Sequence, residues 1–142
     1  MTQPSIVEME KPKNSTSQTL ERDIIATILG TVVYDKAFFF FEDMGKPTGQ
    51  YATSLSDFSI KIGKVPVKCL TYHLNRTDFE DWIRDIIGDD ELSRRIRELK
   101  SVDTTWKNDS TVRGNLQALV LSRIIELQYL WLRAMKCQRH VP

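Results

Sequence analysis

The densest group of side chains able to do chemistry lies in Y-H-L-N-R-T-D-F-E-D-W, Tyr72 to Trp82. A helix-turn-helix corner here brings His73, Arg76 and Asp78 together, because a capping turn reverses the chain within about four residues. Three roles stand open. As a folding corner, Arg76 pairs with Asp78 or Glu80 and His73 donates to a carboxylate or a backbone carbonyl, while Phe79 and Trp82 anchor the core. As a ligand site, Arg76 is the bidentate fork for a small anion or a partner's carboxylate, with His73 as a second donor. As a catalytic site, His73 is a general base oriented by Asp78. Its nucleophile would be Cys69, one helical turn earlier, with Ser54 and Thr53 only nominal alternatives. One histidine beside Asp78, Glu80 and Asp81 is ordinary helix composition and not a metal set, so neither metal nor cofactor is expected.

Other chemistry-bearing residues form no complete set. G-K-P-T-G at Gly45 to Gly49 superficially suggests a phosphate cradle, but it lacks the Lys-Ser/Thr pair that follows the last glycine of a P-loop. His140 sits in a basic tip with Arg133, Lys136 and Arg139, which complements a helix dipole. Cys69 and Cys137 have neither disulfide-framework nor zinc spacing, and a reduced cytoplasmic setting suits them.

Positioning these residues falls mainly to helices. Residues 1–18 are rich in Pro, Ser, Thr, Asn, Gln, Lys and Glu, which predicts a disordered tail ahead of a single domain over 19–138, with 139–142 as a short C-terminal tail. Leu20, Ile24, Ile25, Ile28 and Leu29 have helical spacing, with Thr19 as cap and Gly30 as stop. TVVYDKAFFFFED is β-branched and aromatic; Val32 to Tyr34 and Ala37 to Glu42 can pair about Asp35 and Lys36, and MGKPTGQY then reads as a loop.

Ser54 and Asp57 form a capping box before Phe58, Ile60 and Ile62, with Gly63 as stop. Pro66 opens a helix carrying Val67, Leu70 and Leu74 on one face, although its β-branched content leaves a strand open. Thr77 and Glu80 repeat the capping box before Phe79, Trp82, Ile83, Ile86 and Ile87, and Gly88 ends that stripe. Asp89 or Asp90 caps the next helix, which turns Leu92, Ile96 and Leu99 inward. After the linker SVDTTWKNDST, a helix over about 112–136 is apolar nearly all round. Leu116, Leu119, Val120, Leu127, Leu130 and Trp131 lie on one face, and Leu121, Ile124, Ile125, Leu132 and Met135 on another. A helix of that kind needs two partners, and Leu121, Ile125, Leu132 and Met135 are the candidate interface.

The expected fold is therefore mainly α, a small bundle of about five or six helices, with a short β-hairpin near residues 32–42 as the one non-helical element. Its 142 residues suit one core, and 20 Lys and Arg against 19 Asp and Glu leave a net charge of +1. No global field draws nucleic acid or an anionic membrane. The most apolar stretches are interrupted by charge and read as core, not as membrane spans.

The run A-x-S-L-x-x-F at Ala52 to Phe58, H-x-x-R-x-D-F-x-x-W at His73 to Trp82 and G-D-x-x-L at Gly88 to Leu92 resembles a small archaeal and bacterial domain family of unknown function. A wider match runs from Phe38 to Phe41, with Gly45 and Gly49, to R-I-x-E-L at Arg123 to Leu127. Cys69 stands where that family often has Ser, which removes a hydroxyl, and Thr77 stands where it usually has Gly. The resemblance implies an accessory domain, found alone or appended to larger proteins that include regulatory and sugar-related enzymes, with no established activity. The functional expectation is a non-catalytic interaction or regulatory module whose C-terminal helix binds a protein partner or a second copy. The alternative is a small-anion or small-ligand domain, enzymatic or not, centred on His73, Arg76 and Asp78.

Overall fold

Alternating burial along four consecutive phenylalanines is what a strand produces and a helix does not. Phe38 and Phe40 are buried and Phe39 faces outward. In the computed structural model these residues belong to a two-stranded antiparallel hairpin, β1 (Phe38–Asp43) and β2 (Lys46–Ala52), set among six α-helices of the described residues. The structure describes residues 17–102 and 109–139. The tail over 1–16, most of the Trp106-containing linker, His140 and the side chain of Cys137 lie outside the described residues.

The helices are α1 (17–29), α2 (Leu55–Ile62), α3 (Val67–Asn75), α4 (Asp78–Trp82), α5 (Asp90–Val102) and α6 (Asp109–Arg139). The fold is mainly α with a short hairpin, but that hairpin is not the expected one. Tyr34–Lys36 form a 3-10 turn instead of the end of a first strand. β1 pairs forward with the segment expected to be a loop, joining Phe38 to Ala52 and Phe39 to Tyr51. The glycines that suggested a loop serve the hairpin: Gly45 and Gly49 take φ values of 72° and 86°, which only glycine adopts without strain. The register slips twice between Phe39 and Asp43, and Pro47 lies within β2 opposite Phe41.

Helix starts were legible in some places and not in others. The Ser54 hydroxyl accepts from the Asp57 amide at 3.1 Å, and the Asp57 carboxylate reaches back to the Thr53 amide at 3.2 Å. α1 already includes Ser17 and Gln18, so Thr19 lies inside it and not at its cap. At the other predicted capping box, Thr77 makes no side-chain cap bond. Pro66 is the cap of α3 and not its first residue, and that segment is helix throughout.

α4 runs into a wider π turn over Ile83–Ile87, where the amides of Gly88 and Asp89 both converge on the Ile83 carbonyl. Ile83 and Ile87 are buried there. The turn also delivers Asp89 to the interior, so its carboxylate does not cap α5. It is gripped by Arg123 of α6 through two bonds of 2.8 and 2.9 Å. A second inward ion pair joins Glu80 to Lys100 at 2.6 Å, and the same ammonium donates to the Leu74 carbonyl at 2.7 Å. Lys100 thereby ties α5 to α4 and to the last turn of α3.

The core is aromatic near the hairpin and aliphatic along α6. Phe38, Phe40, Phe58, Phe79 and Trp82 share ring contacts, and Leu116, Val120, Ile124 and Leu127 close the other end. Among the described residues no helix is long and apolar enough to cross a membrane.

Replacing Arg123 with Met leaves the Asp89 carboxylate buried without its fork and costs about 3–5 kcal/mol. Chemical denaturation measures this, and adding Asp89→Asn recovers a substantial part because the stranded charge goes with it.

Candidate functional site

His73 is fixed by three elements at once. It sits on the last turn of α3 and is 3% exposed, with its imidazole among Phe38, Phe40 and Phe79. Nδ1 lies 2.8 Å from Asp78 Oδ2 at the start of α4. Nε2 accepts the Phe41 amide of β1 at 2.9 Å. An acceptor role for Nε2 places the proton on Nδ1, where it is donated to Asp78. The ring is therefore neutral, and both nitrogens are used.

That arrangement bears on the chemical roles. A general base needs a lone pair facing a substrate proton, and the lone pair of His73 is occupied by a backbone amide. Burial pushes the imidazole below its ordinary value of 6.5, opposed by the hydrogen bond and charge of Asp78 and assisted by Arg76. Cys69 does not complete a pair: it is fully buried in the core, and desolvation, with Glu42 adding, raises its thiol above 9.0. The Ser54 hydroxyl accepts the Asp57 amide at the start of α2, and the Thr53 amide donates to the Asp57 carboxylate. Among the described residues no three His, Cys, Asp or Glu side chains cluster to hold a metal.

Arg76, by contrast, is half exposed. Its Nε donates to Asp78 Oδ2 at 3.1 Å, and its guanidinium carbon stands 5.3 Å from the Tyr72 ring centroid. Asp78 thus accepts from His73 on the inside and Arg76 on the outside through one oxygen. Beside this pair opens a cleft of about 420 Å³, walled by Phe39, Phe41 and Tyr72, rimmed by the Gly45 turn and carrying Arg76 and Asp78. Of the expected trio, Arg76 and Asp78 reach solvent in this cleft, and His73 forms its floor.

Two corner residues, Thr77 and Glu80, have different tasks from those expected, while Phe79 and Trp82 lie in the core as expected. Thr77 joins α3 to α4 in the left-handed region, at φ 62° and ψ 22°. For a β-branched residue this backbone is strained. Glu80 does not reach back to Thr77; it is buried against Lys100, and its Oε1 has no hydrogen-bond partner. Phe79 and Trp82 are buried, and the Trp82 indole donates to the Lys36 carbonyl at 2.8 Å, holding the 3-10 turn.

On α6, Leu121, Ile125 and Leu132 are 43%, 64% and 54% exposed and share a face with Tyr129 at 60%. Ile124, expected with them, is in the core. Met135 also departs from that face: it is half-buried, and its sulfur accepts from Arg22 of α1 at 3.9 Å. Sequence reasoning missed Tyr129, although its i+4 spacing from Ile125 marks it. It also missed the wall residues Phe39 and Phe41, which become neighbours of α3 only once β1 is placed.

No protein-family model, curated protein or solved structure matches the chain.

Two outcomes test this geometry. Because the folded imidazole resists protonation and the unfolded one does not, stability contributed by neutral His73 is complete above pH 6.5 and declines as pH falls below it. Thermal melts from pH 7.5 to 5 are expected to show that decline, with a shallower slope in His73→Gln; equal slopes assign the loss to other groups. Thr77→Gly relieves the left-handed strain and is expected to stabilise the fold by about 1 kcal/mol, read from the denaturation midpoint.

Proposed function

We propose that this chain works by association and not by catalysis, as an accessory or regulatory module that pairs with a second copy of itself through the outer face of α6. A cytoplasmic setting belongs to the same proposal. One observation carries it: Leu121, Ile125, Tyr129 and Leu132 form an apolar stripe on the side of α6 turned away from the core. The closed histidine supports the non-catalytic half, since both its nitrogens are occupied and the nearby Cys69 thiol is buried.

The stripe also indicates how two copies fit. It continues toward the N-terminus through exposed Ala118 and Gly114, and toward the C-terminus to Lys136, so small residues lie at one end and large ones at the other. An antiparallel twofold centred on Ile125 sets Ala118 against Leu132, Leu121 against Tyr129, and Ile125 against its own copy. Large side chains then fill the space left by small ones, which favours interdigitation. A parallel pair instead sets Gly114 on Gly114 and Ala118 on Ala118, leaving a gap, and crowds Arg133 and Lys136 of both copies together. The antiparallel pair separates those charges and opposes the two helix dipoles.

Gly114 to Lys136 spans about 33 Å, and a helix face about 10–12 Å wide gives roughly 700 Å² of total buried surface. This falls in the small, short-lived interface class, so pairing depends on concentration. Sedimentation across micromolar to millimolar concentration is expected to show a monomer–dimer equilibrium, and Ile125→Arg, which places two like charges on the axis, abolishes it with little change in melting temperature. In a Cys137→Ser background, a short bis-maleimide joins Ile125→Cys chains but not Leu132→Cys chains, whose thiols lie about 21 Å apart in the antiparallel pair. A strict monomer at every concentration overturns the proposal, and equal joining of both variants overturns the antiparallel register.

A further inference from the structure

The cleft beside the corner is independent of α6, and its chemistry is more specific than its size. Among the described residues that line it, Arg76 is the one accessible cation. The guanidinium is held on two sides, by Asp78 through Nε and by the Tyr72 ring beneath it, while Nη1 and Nη2 have no partner among the described residues. A guanidinium fixed in this way is a preorganised fork whose two outer nitrogens match the two oxygens of a carboxylate. We propose that the cleft binds a small aromatic monocarboxylate, its carboxylate on Arg76 and its ring against Phe39 and Phe41.

Charge selects the anion. Asp78 already neutralises Arg76, and His73 below them is uncharged, so the cleft has no surplus positive charge. A dianionic phosphate would meet one shared guanidinium and a carboxylate oxygen at close range, whereas a monoanion needs only the fork. The fixed Asp78 charge thus excludes multiply charged ligands. The walls select the rest of the molecule: Phe39 is exposed at the rim and Phe41 half-buried beneath it, and the Gly45 turn contributes no side chain. At about 420 Å³ and open on one side, the cleft lies toward the small end of ligand pockets, enough for one ring and its carboxylate arm.

The ligand would be held without reaction. The His73 imidazole at the floor has its lone pair on the Phe41 amide and its proton on Asp78. Binding instead has a structural effect, since Arg76 caps the C-terminus of α3 and Phe41 belongs to β1, so a carboxylate on the fork with a ring on Phe41 bridges the corner and the hairpin.

Phenylacetate titrated into the full chain, followed by calorimetry and by amide chemical shifts, is the test. Saturable binding is expected, with shifts at Phe39, Phe41, Tyr72 and Arg76. Phenylacetamide, which lacks the charge, acetate, which lacks the ring, and inorganic phosphate are each expected to bind at least about tenfold more weakly. Arg76→Lys keeps the positive charge but not the fork, and is expected to lose at least about tenfold in affinity for phenylacetate. Phe39→Ala, at an exposed rim position, weakens phenylacetate while leaving acetate unchanged. The same titration on Ile125→Arg separates this site from pairing through α6. No saturation, equal binding of phenylacetamide, phosphate binding as tightly as phenylacetate, or an unchanged Arg76→Lys variant overturns the assignment.

Discussion

One buried imidazole joins the hairpin to the α3–α4 corner, 32 positions further along the chain. His73 leaves α3, accepts the Phe41 amide of the hairpin and donates to Asp78 at the start of α4, with Phe38, Phe40 and Phe79 around it. Each contact satisfies a polar group that would otherwise be costly to bury. The Phe41 amide is the informative one, because the register slips beside it and the hairpin supplies its neighbours with no regular ladder there. A small two-stranded sheet is marginal alone; here it is fastened to the helices by a side chain. The constraint extends outward, since holding Asp78 against His73 fixes the outer face of the same carboxylate and, through it, Arg76.

Two inward ion pairs complete the frame from the other side. Arg123 holds Asp89 where the π turn ends, and Lys100 joins Glu80 to the final turn of α3. Between these fixed points the backbone accepts a strained threonine at Thr77 and leaves one oxygen of Glu80 without a partner. Both are local costs within a corner held from several directions.

Periodicity revealed the helices because each buries a regular face: Phe79, Trp82, Ile83 and Ile87, or Leu116, Val120 and Leu127, are spaced as a helix requires. It could not reveal β2, whose Lys46, Pro47 and Gly49 are poor strand formers and pair only because β1 is already seated on α3. The trio His73, Arg76 and Asp78 was legible as a cluster, and its division into an inner clamp and an outer fork was not. That division depends on the Phe41 amide, a backbone group 32 positions away that no side-chain motif encodes. Thr77 with Glu80 shows the opposite error, a capping pattern present in the letters and absent from the fold, because Lys100 draws Glu80 inward. Asp89 and Arg123, 34 positions apart, meet as a buried ion pair that no local pattern announces.

The irregular hairpin has a bearing on solubility. Two-stranded sheets have two open edges, and an uninterrupted edge rich in phenylalanine and tyrosine is a template onto which further chains add as strands. This one offers no such template: Pro47 removes an amide from β2, Gly49 turns its backbone into the left-handed region, and the register breaks on either side of Phe41. The departures from ideal geometry that hid the strand in the sequence also interrupt the edge that β2 presents beside four consecutive phenylalanines.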